Sequence, residues 1–174
     1  MPTNAFPSTV SQVDTAARFP LGYEVTVPAT AAGTRANQGE QLWVYVFNDD
    51  PTNAFAAGTV VYRDPSATTH DFYGALIAPT SVISRQYIIG IAQHAIAIGS
   101  YGFVLVKGVG TILAGSAGLA LDTEFTTGGS AVGTVLAVVA NADATTDTHN
   151  SVIGHSATAL AAAATGTAFI NCPG

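Results

Sequence analysis

The stretch between Arg85 and Lys107 carries no charged side chain and is about as long as a membrane-spanning helix. The stretch is broken into short pieces by Gly90, Gly99, Ser100 and Gly102, and it carries the polar residues Gln86, Gln93 and His94. The pattern therefore predicts two apolar strands joined by a turn, Ile88 to Ala92 and Tyr101 to Lys107. Strands this apolar need cover on both faces, so we expect them in a β-sandwich or barrel core or at a subunit interface.

The 174-residue chain fits one domain, which is long enough to bury roughly two-thirds of its unfolded surface. We divide it into an extended N-terminal arm, residues 1–20, and a single β-rich domain, residues 21–174. Cys172 is the only cysteine, so the sequence allows no internal disulfide and no multi-cysteine metal site. The N-terminus lacks the basic and apolar regions of a signal peptide, which predicts synthesis in a reducing cytoplasm.

Charge is scarce, because only 9% of the residues are Asp, Glu, Lys or Arg, against roughly 25% in typical soluble domains. The net charge is -6, and the five Lys and Arg residues are scattered along the chain. Direct nucleic-acid binding and adsorption to anionic membranes are therefore not expected. Charge-poor, threonine-rich strands are typical of surfaces that pack against copies of the same chain or onto a large neighbour.

Short apolar or alternating segments separated by turn residues predict an all-β fold, a compact β-barrel or β-sandwich with little helix. The clearest segment is Gln41 to Asn48, which is followed by turn residues. Ala157 to Ala164 is the one helical candidate, since alanine favours helix, although a close-packed strand fits equally well. Further strands are predicted at Leu21 to Val27, Gly58 to Arg63, Val109 to Leu113, Leu119 to Leu121, Val132 to Val139, Val152 to Ser156 and Thr167 to Asn171.

Residues 1–20 contain three prolines and little periodicity, which indicates an extended arm rather than a packed element. An arm of this kind can add itself to the sheet edge of a neighbour. Its apolar side chains are the predicted partner-binding residues, Phe6, Val10, Val13 and Phe19. Removal of residues 1–18 is therefore expected to leave the fold intact and to weaken partner binding.

Few residues are spaced for catalysis, so the chain is not expected to be an enzyme or to hold a cofactor. The segment around Ser100, Gly99-Ser100-Tyr101-Gly102, is one residue too short for the nucleophile elbow Gly-x-Ser-x-Gly and fits a hairpin turn better. Two groups have the composition of a weak cation site but also suit solvated loops, His70 with Asp71 and Asp143 with Asp147 and His149.

Two residues in apolar segments leave alternatives open. His94 lies inside an apolar run and is expected to be a core or interface histidine rather than a ligand or base. Trp43 alternates with Tyr45 and Phe47, a pattern usual for a core, although such rings also suit a sugar-binding platform. The alternative function is therefore a glycan- or receptor-binding β module that uses Trp43 or the loop from Asn141 to Ser151.

Several segments, taken in their order, resemble the small head decoration, or capsid cement, proteins of tailed bacteriophages. The opening strands of that family are similar to Phe19 to Val25 and Gly39 to Val46. Its central signature is similar to Gly90 to Ala92 followed by Ile98 to Gly108, and its closing strands to Val152 to Gly154, Ala159-Leu160 and Ala168 to Cys172. The chain departs from the family at Phe103, where tryptophan is frequent, and in the alanine-rich Ala157 to Ala164.

The resemblance, which covers nearly the whole chain, implies a homotrimer that sits on the outer capsid surface and bridges subunits of the major capsid protein. It implies a structural virion protein without catalysis or a small-molecule substrate, made in the host cytoplasm and located on the virion. In the alternative function, the β module belongs to a phage fibre or a bacterial surface lectin.

Overall fold

The structure is a computed structural model that describes residues 10–28, 39–64, 70, 72–138 and 151–173. These residues form an 11-stranded sheet and one 3₁₀ turn, Arg85–Tyr87, so the all-β prediction with little helix is confirmed. No helix among them is long and apolar enough to cross a membrane. The strands are β1 Val13–Asp14, β2 Glu24–Val27, β3 Gln41–Asn48, β4 Val60–Arg63, β5 Gly74–Ile77, β6 Ile88–Ala92, β7 Tyr101–Leu113, β8 Glu124–Thr127, β9 Val135–Ala137, β10 Gly154–Ser156 and β11 Thr165–Asn171.

Five strands between Gln41 and Leu113 close into a ring. β3 pairs with β5, β5 with β4, β4 with β6 and β6 with β7, and β7 pairs with β3 to complete the circuit. The β3–β5 pairing is parallel and the other four are antiparallel. A closed ring leaves these strands without free edges and separates the side chains into an inner and an outer set.

A second ring shares β7 with the first. β7 pairs with β11, β11 with β10, β10 with β8 and β8 with β9. A bridge between Ala114, directly after β7, and Val135 in β9 closes this circuit. The pairing therefore follows the barrel form of the predicted fold, with two rings and one common strand.

β7 runs without a break, although the sequence predicts two strands on either side of Gly108. Gly108 has a φ of 118°, a conformation that favours glycine. A Cβ at this position would lie 2.8 Å from the Glu40 carbonyl oxygen and 2.9 Å from Gln41 Cγ. The predicted break was wrong because this glycine permits close packing against the start of β3 rather than a turn.

The apolar strand pair at the centre of the chain is covered on both faces, as its composition predicts. All five residues of β6 are buried, and so are the residues from Gly102 to Val106 in β7. Gly90 in the middle of β6 has no room for a side chain, since a Cβ would lie 2.6 Å from the Leu105 carbonyl oxygen. The uncharged stretch is therefore core.

The alanine-rich segment Ala157 to Ala164 does not form a helix. Leu160 forms an antiparallel bridge with Leu119, and Ala163 adopts a φ of 54° shortly before β11. The helical propensity of alanine is weak, and here the pairing with neighbouring chain overrides it. The strand predicted over Leu119 to Leu121 was too long, because only Leu119 forms this bridge. The strand predicted over Val132 to Val139 was also too long, because β9 is limited to Val135–Ala137.

The turn after β3 is built around Asp50, which is only 7% exposed. Its Oδ1 accepts hydrogen bonds from the backbone N–H groups of Thr52 and Asn53 at 3.0 and 2.8 Å. Its Oδ2 accepts one from the Ile77 N–H at 3.3 Å, which ties the turn to β5. Burial by itself would raise the pKa of Asp50, but these hydrogen bonds outweigh burial and lower the pKa below its usual value.

The substitution Asp50→Asn is expected to lower the free energy of unfolding at neutral pH by about 1–3 kcal/mol, because the amide replaces a charged acceptor. The depressed folded-state pKa means that this stabilisation is present above the unfolded value of about 3.9 and is lost as the pH falls through the folded value. Urea denaturation should therefore show a gap from the wild type at neutral pH that narrows in acid. Asp122→Asn, in an exposed turn, is the matched control, and equal losses from both variants would contradict the assignment.

Candidate partner-binding surface

The N-terminal segment packs on the sheet from Val10 onward. Val10 is buried, and β1 pairs with β7 so that Val13 faces Gly102 and Asp14 faces Tyr101. This differs from the extended arm that the prolines indicate, because backbone pairing and apolar burial fix the segment. Phe6, the first of the predicted partner-binding residues, lies outside the described residues.

A buried hydrogen bond fixes the segment to β3. The Tyr45 hydroxyl donates to Asp14 Oδ2 at 2.8 Å, and Gln12 Nε2 donates to Asp14 Oδ1 at 2.8 Å. The Arg18 guanidinium lies 3.7 Å from the same carboxylate. Burial raises the pKa of Tyr45 well above its usual value, and the hydrogen bond to Asp14 raises it further. Tyr45 therefore keeps its proton and remains the donor.

Aromatic packing covers the rest of this face. The ring of Phe19 stacks on Tyr23 with centroids 5.3 Å apart and meets Tyr45 edge-on at 5.3 Å. Phe19 also lies 5.6 Å from Phe103, which in turn is 4.9 Å from Tyr45. Offset and edge-on aromatic pairs contribute about 0.5–1.5 kcal/mol beyond their buried area. The partly buried Phe19 ring therefore contacts three aromatic rings of the same chain.

Apolar side chains remain exposed where β3 ends and β7 begins. We call the set of Val13, Phe72 and Ile98 the apolar rim; their exposed fractions are 39%, 70% and 49%. Backbone pairing brings all three to the same end of the sheet. Val13 pairs with Gly102 in β7. The carbonyl of Tyr73, next to Phe72, accepts a hydrogen bond from the Phe47 N–H, and the N–H of Gly99, next to Ile98, donates to the Asn48 carbonyl.

The turn that carries Phe72 has a defined geometry. The His70 carbonyl accepts hydrogen bonds from the N–H groups of Tyr73 and Gly74, and Phe72 between them has a φ of 64°. The His70 ring stacks on the Phe47 ring with their centroids 3.9 Å apart, and His70 Nδ1 lies 3.7 Å from Asp49 Oδ2. A bulky residue in this left-handed region is uncommon and costs about 1–3 kcal/mol. The strained backbone of Phe72 thus carries an aromatic side chain that is exposed at the surface.

The described residues that were considered for chemistry have surroundings that fit structural roles. Ser100 is buried in the turn before β7, with Gly99 at a φ of 69°, which fits the hairpin interpretation. His94 is partly buried, and burial lowers its pKa, which favours the neutral form. Burial raises the pKa of Cys172 to about 12, so this residue stays a thiol.

The proposed cation loop of Asp143, Asp147 and His149, and Asp71 beside His70, lie outside the described residues. Within the described residues, no group of three or more His, Cys, Asp or Glu side chains could hold a metal ion. Trp43 is only 4% exposed and belongs to the hydrophobic core. It therefore does not form an open platform for stacking a sugar ring.

No protein-family model matches the chain, and no curated protein matches it. A solved structure to which the chain is similar is the crystal structure of the head fiber gp8.5 N base in bacteriophage phi29, with a TM-score of 0.48 and 11% sequence identity. The match covers 75% of this chain and 94% of that chain. These comparisons assign no family, so the function rests on the residues and surfaces of the chain itself.

Proposed function

We propose that the chain is a structural virion protein that binds the outer surface of a phage capsid and stabilises it as a homotrimer. The partner is the major capsid protein, and the role needs no catalysis and no cofactor. The ordered series of segments that resembles the capsid decoration proteins supports this role. So does the scarcity of charge, since only 9% of the residues are charged and interface centres are depleted of charge.

The apolar rim is the observation that carries the proposal. Phe72 is 70% exposed, and it stands in a strained turn at the same end of the sheet as Ile98 and Val13. Aromatic and aliphatic side chains that are exposed together mark surfaces that bind other proteins. A shell protein binds through modest contacts repeated by symmetry, so a small apolar contact on each subunit is sufficient.

The double variant Phe72→Ser, Ile98→Ser is expected to bind empty capsids of the source phage at least about tenfold more weakly than the wild type. Both side chains are exposed, so the fold should be retained, which circular dichroism would verify. Co-sedimentation with the capsids measures the binding. Leu121→Ser is the matched control, because Leu121 is 64% exposed but lies before β8, away from the rim. Undiminished sedimentation of the double variant would exclude the rim as the contact.

The trimer is tested separately by the mass in solution. Sedimentation equilibrium of the full chain is expected to give three times the chain mass of 17.6 kDa. A monomer at all concentrations would refute the trimer, while capsid binding by the monomer would leave the virion role standing.

A further inference from the structure

A pocket of about 180 Å³ lies beside the second ring. It is bounded by the 3₁₀ turn at Arg85 and by the neighbouring strands β8, β10 and β11. The lining residues are Arg85, Glu124, Val152, Gly154, His155, Phe169 and Asn171. The pocket therefore combines one positive side chain, one negative side chain and two rings.

Strand pairing places three of the lining side chains in one row. His155 in β10 pairs with Glu124 in β8 and with Phe169 in β11. Directly paired residues point to the same face of a sheet. Glu124 and His155 are exposed, whereas their neighbours Phe125 and Gly154 are buried. The row therefore lies on the outer face of the ring, where a ligand from solvent can reach it.

Arg85 provides the positive charge of the pocket. Its Nη2 donates a hydrogen bond to the Asn171 carbonyl at 2.9 Å, and this bond is exposed to solvent. Its Nε is buried, so the terminal nitrogens Nη1 and Nη2 are the atoms left to contact a ligand. A guanidinium carries several N–H groups in a planar fork, so the bond to Asn171 orients the group and leaves donors for a carboxylate.

We infer that this pocket binds a free α-amino acid through its zwitterionic head group. Such a ligand carries a carboxylate and an ammonium group on one carbon, which match the Arg85 guanidinium and the Glu124 carboxylate. A purely anionic ligand would be repelled by Glu124 and a purely cationic ligand by Arg85, so a zwitterion is favoured over both. A carboxylate has about four acceptor sites, so Glu124 can bind the ammonium in addition to its interaction within the chain.

The remaining lining residues favour an amino acid with an apolar side chain. The rings of His155 and Phe169 are stacked, with centroids 5.4 Å apart and planes 25° from parallel, and Val152 adds an aliphatic side chain. Ligand sites commonly combine a few charged groups that orient the ligand with apolar surface that buries the rest of it. We therefore expect leucine or phenylalanine to bind more tightly than glycine. This inference goes beyond the proposed virion role, because the pocket shares no residue with the apolar rim.

Titration of the full chain with glycine, leucine and phenylalanine, followed in ¹⁵N–¹H spectra, tests the site. Leucine or phenylalanine is expected to shift the backbone amide signals of His155 and Asn171 in a saturable way. The N-acetyl derivative of the tighter ligand lacks the ammonium, and its amide derivative lacks the carboxylate. Each derivative is expected to bind at least about tenfold more weakly than the free amino acid. The inference is overturned if no amino acid gives a saturable shift, or if either derivative binds as tightly as the free amino acid.

Charge-removing substitutions assign each ligand group to its side chain. Arg85→Gln and Glu124→Gln are each expected to lower the affinity for the free amino acid at least about tenfold. Arg85→Gln should not weaken binding of the amide derivative, and Glu124→Gln should not weaken binding of the N-acetyl derivative, because the ligand group that each residue contacts is then already absent. Wild-type affinity of both variants for the free amino acid would overturn the inference.

Lys107→Gln and Glu24→Gln are the matched controls, since both residues are exposed but do not line the pocket. Both controls are expected to bind the amino acid like the wild type, and the thermal unfolding midpoint verifies the fold of each variant. If Arg85→Gln does not fold because it loses the bond to Asn171, Glu124→Gln decides the test. Equal losses of affinity in the pocket variants and the controls would show a general effect of charge and would overturn the inference.

Discussion

Removal of residues 1–19 is expected to lower the midpoint of thermal unfolding by at least about 10 °C. The truncated chain loses the buried Val10, the β1 pairing with β7, and the rings that Phe19 places on Tyr45 and Phe103. Burial of an aliphatic side chain contributes about 1.5–3 kcal/mol, and an unpaired buried hydroxyl costs about 1–3 kcal/mol. The sum is about 2.5–6 kcal/mol before the rings of Phe19 are counted. Differential scanning calorimetry measures the midpoint directly.

This prediction differs from the sequence-based expectation that residues 1–18 can be removed without harm to the fold. The matched control is removal of residues 1–9, which deletes none of the contacts described for Val10, Asp14 and Phe19. The shorter truncation is expected to unfold near the wild-type midpoint. If the longer truncation also unfolds there, the contacts of the N-terminal segment contribute nothing to stability.

The substitution Gly154→Ala is expected to lower the free energy of unfolding by about 3 kcal/mol or more, although it adds a single methyl group. Gly154 lies in β10 between β8 and β11 and pairs with Phe125 on one side and Ile170 on the other. A Cβ at this position would collide with the Phe169 carbonyl oxygen and would lie 2.6 Å from Phe125 Cζ. Neither neighbour can withdraw, because the first belongs to a strand ladder and Phe125 is fully buried.

Urea denaturation followed by circular dichroism gives this free energy, and Gly99→Ala supplies the control. Gly99 has a φ of 69°, but a Cβ there would have nothing within 4 Å. The control variant should therefore lose only about 1 kcal/mol, the cost of a left-handed conformation for alanine. A Gly154→Ala protein as stable as the Gly99→Ala protein would show that the second ring can expand at β10.

The predictability of each strand depends on how much of its stability is local. β3 and β6 begin and end where the sequence predicts, because a continuous apolar segment bounded by turn residues fixes both ends. β5 and β8 were missed, since Gly74–Ile77 and Glu124–Thr127 are too short to show a period and are strands only through their partners. β7 was divided at Gly108, because a glycine required by close packing has the same sequence pattern as a turn.

The candidate surfaces were less predictable than the strands. Phe19 is a predicted partner-binding residue because it is an apolar side chain of the proline-containing segment 1–20. Its contact with Tyr45, which is 26 residues away in the sequence, depends on the fold. Phe72 and Ile98 carried no signal, since single exposed apolar residues are common. Trp43 was correctly expected in the core.

The sharing of β7 between the two rings links the integrity of one ring to that of the other. Seven residues of β7 pair with β11, and six positions pair with β3. The pairs with β3 lie between Tyr101 and Lys107 and those with β11 between Lys107 and Leu113, so one continuous strand carries both rings. A break within β7 is therefore expected to disrupt the pairing of both rings at once.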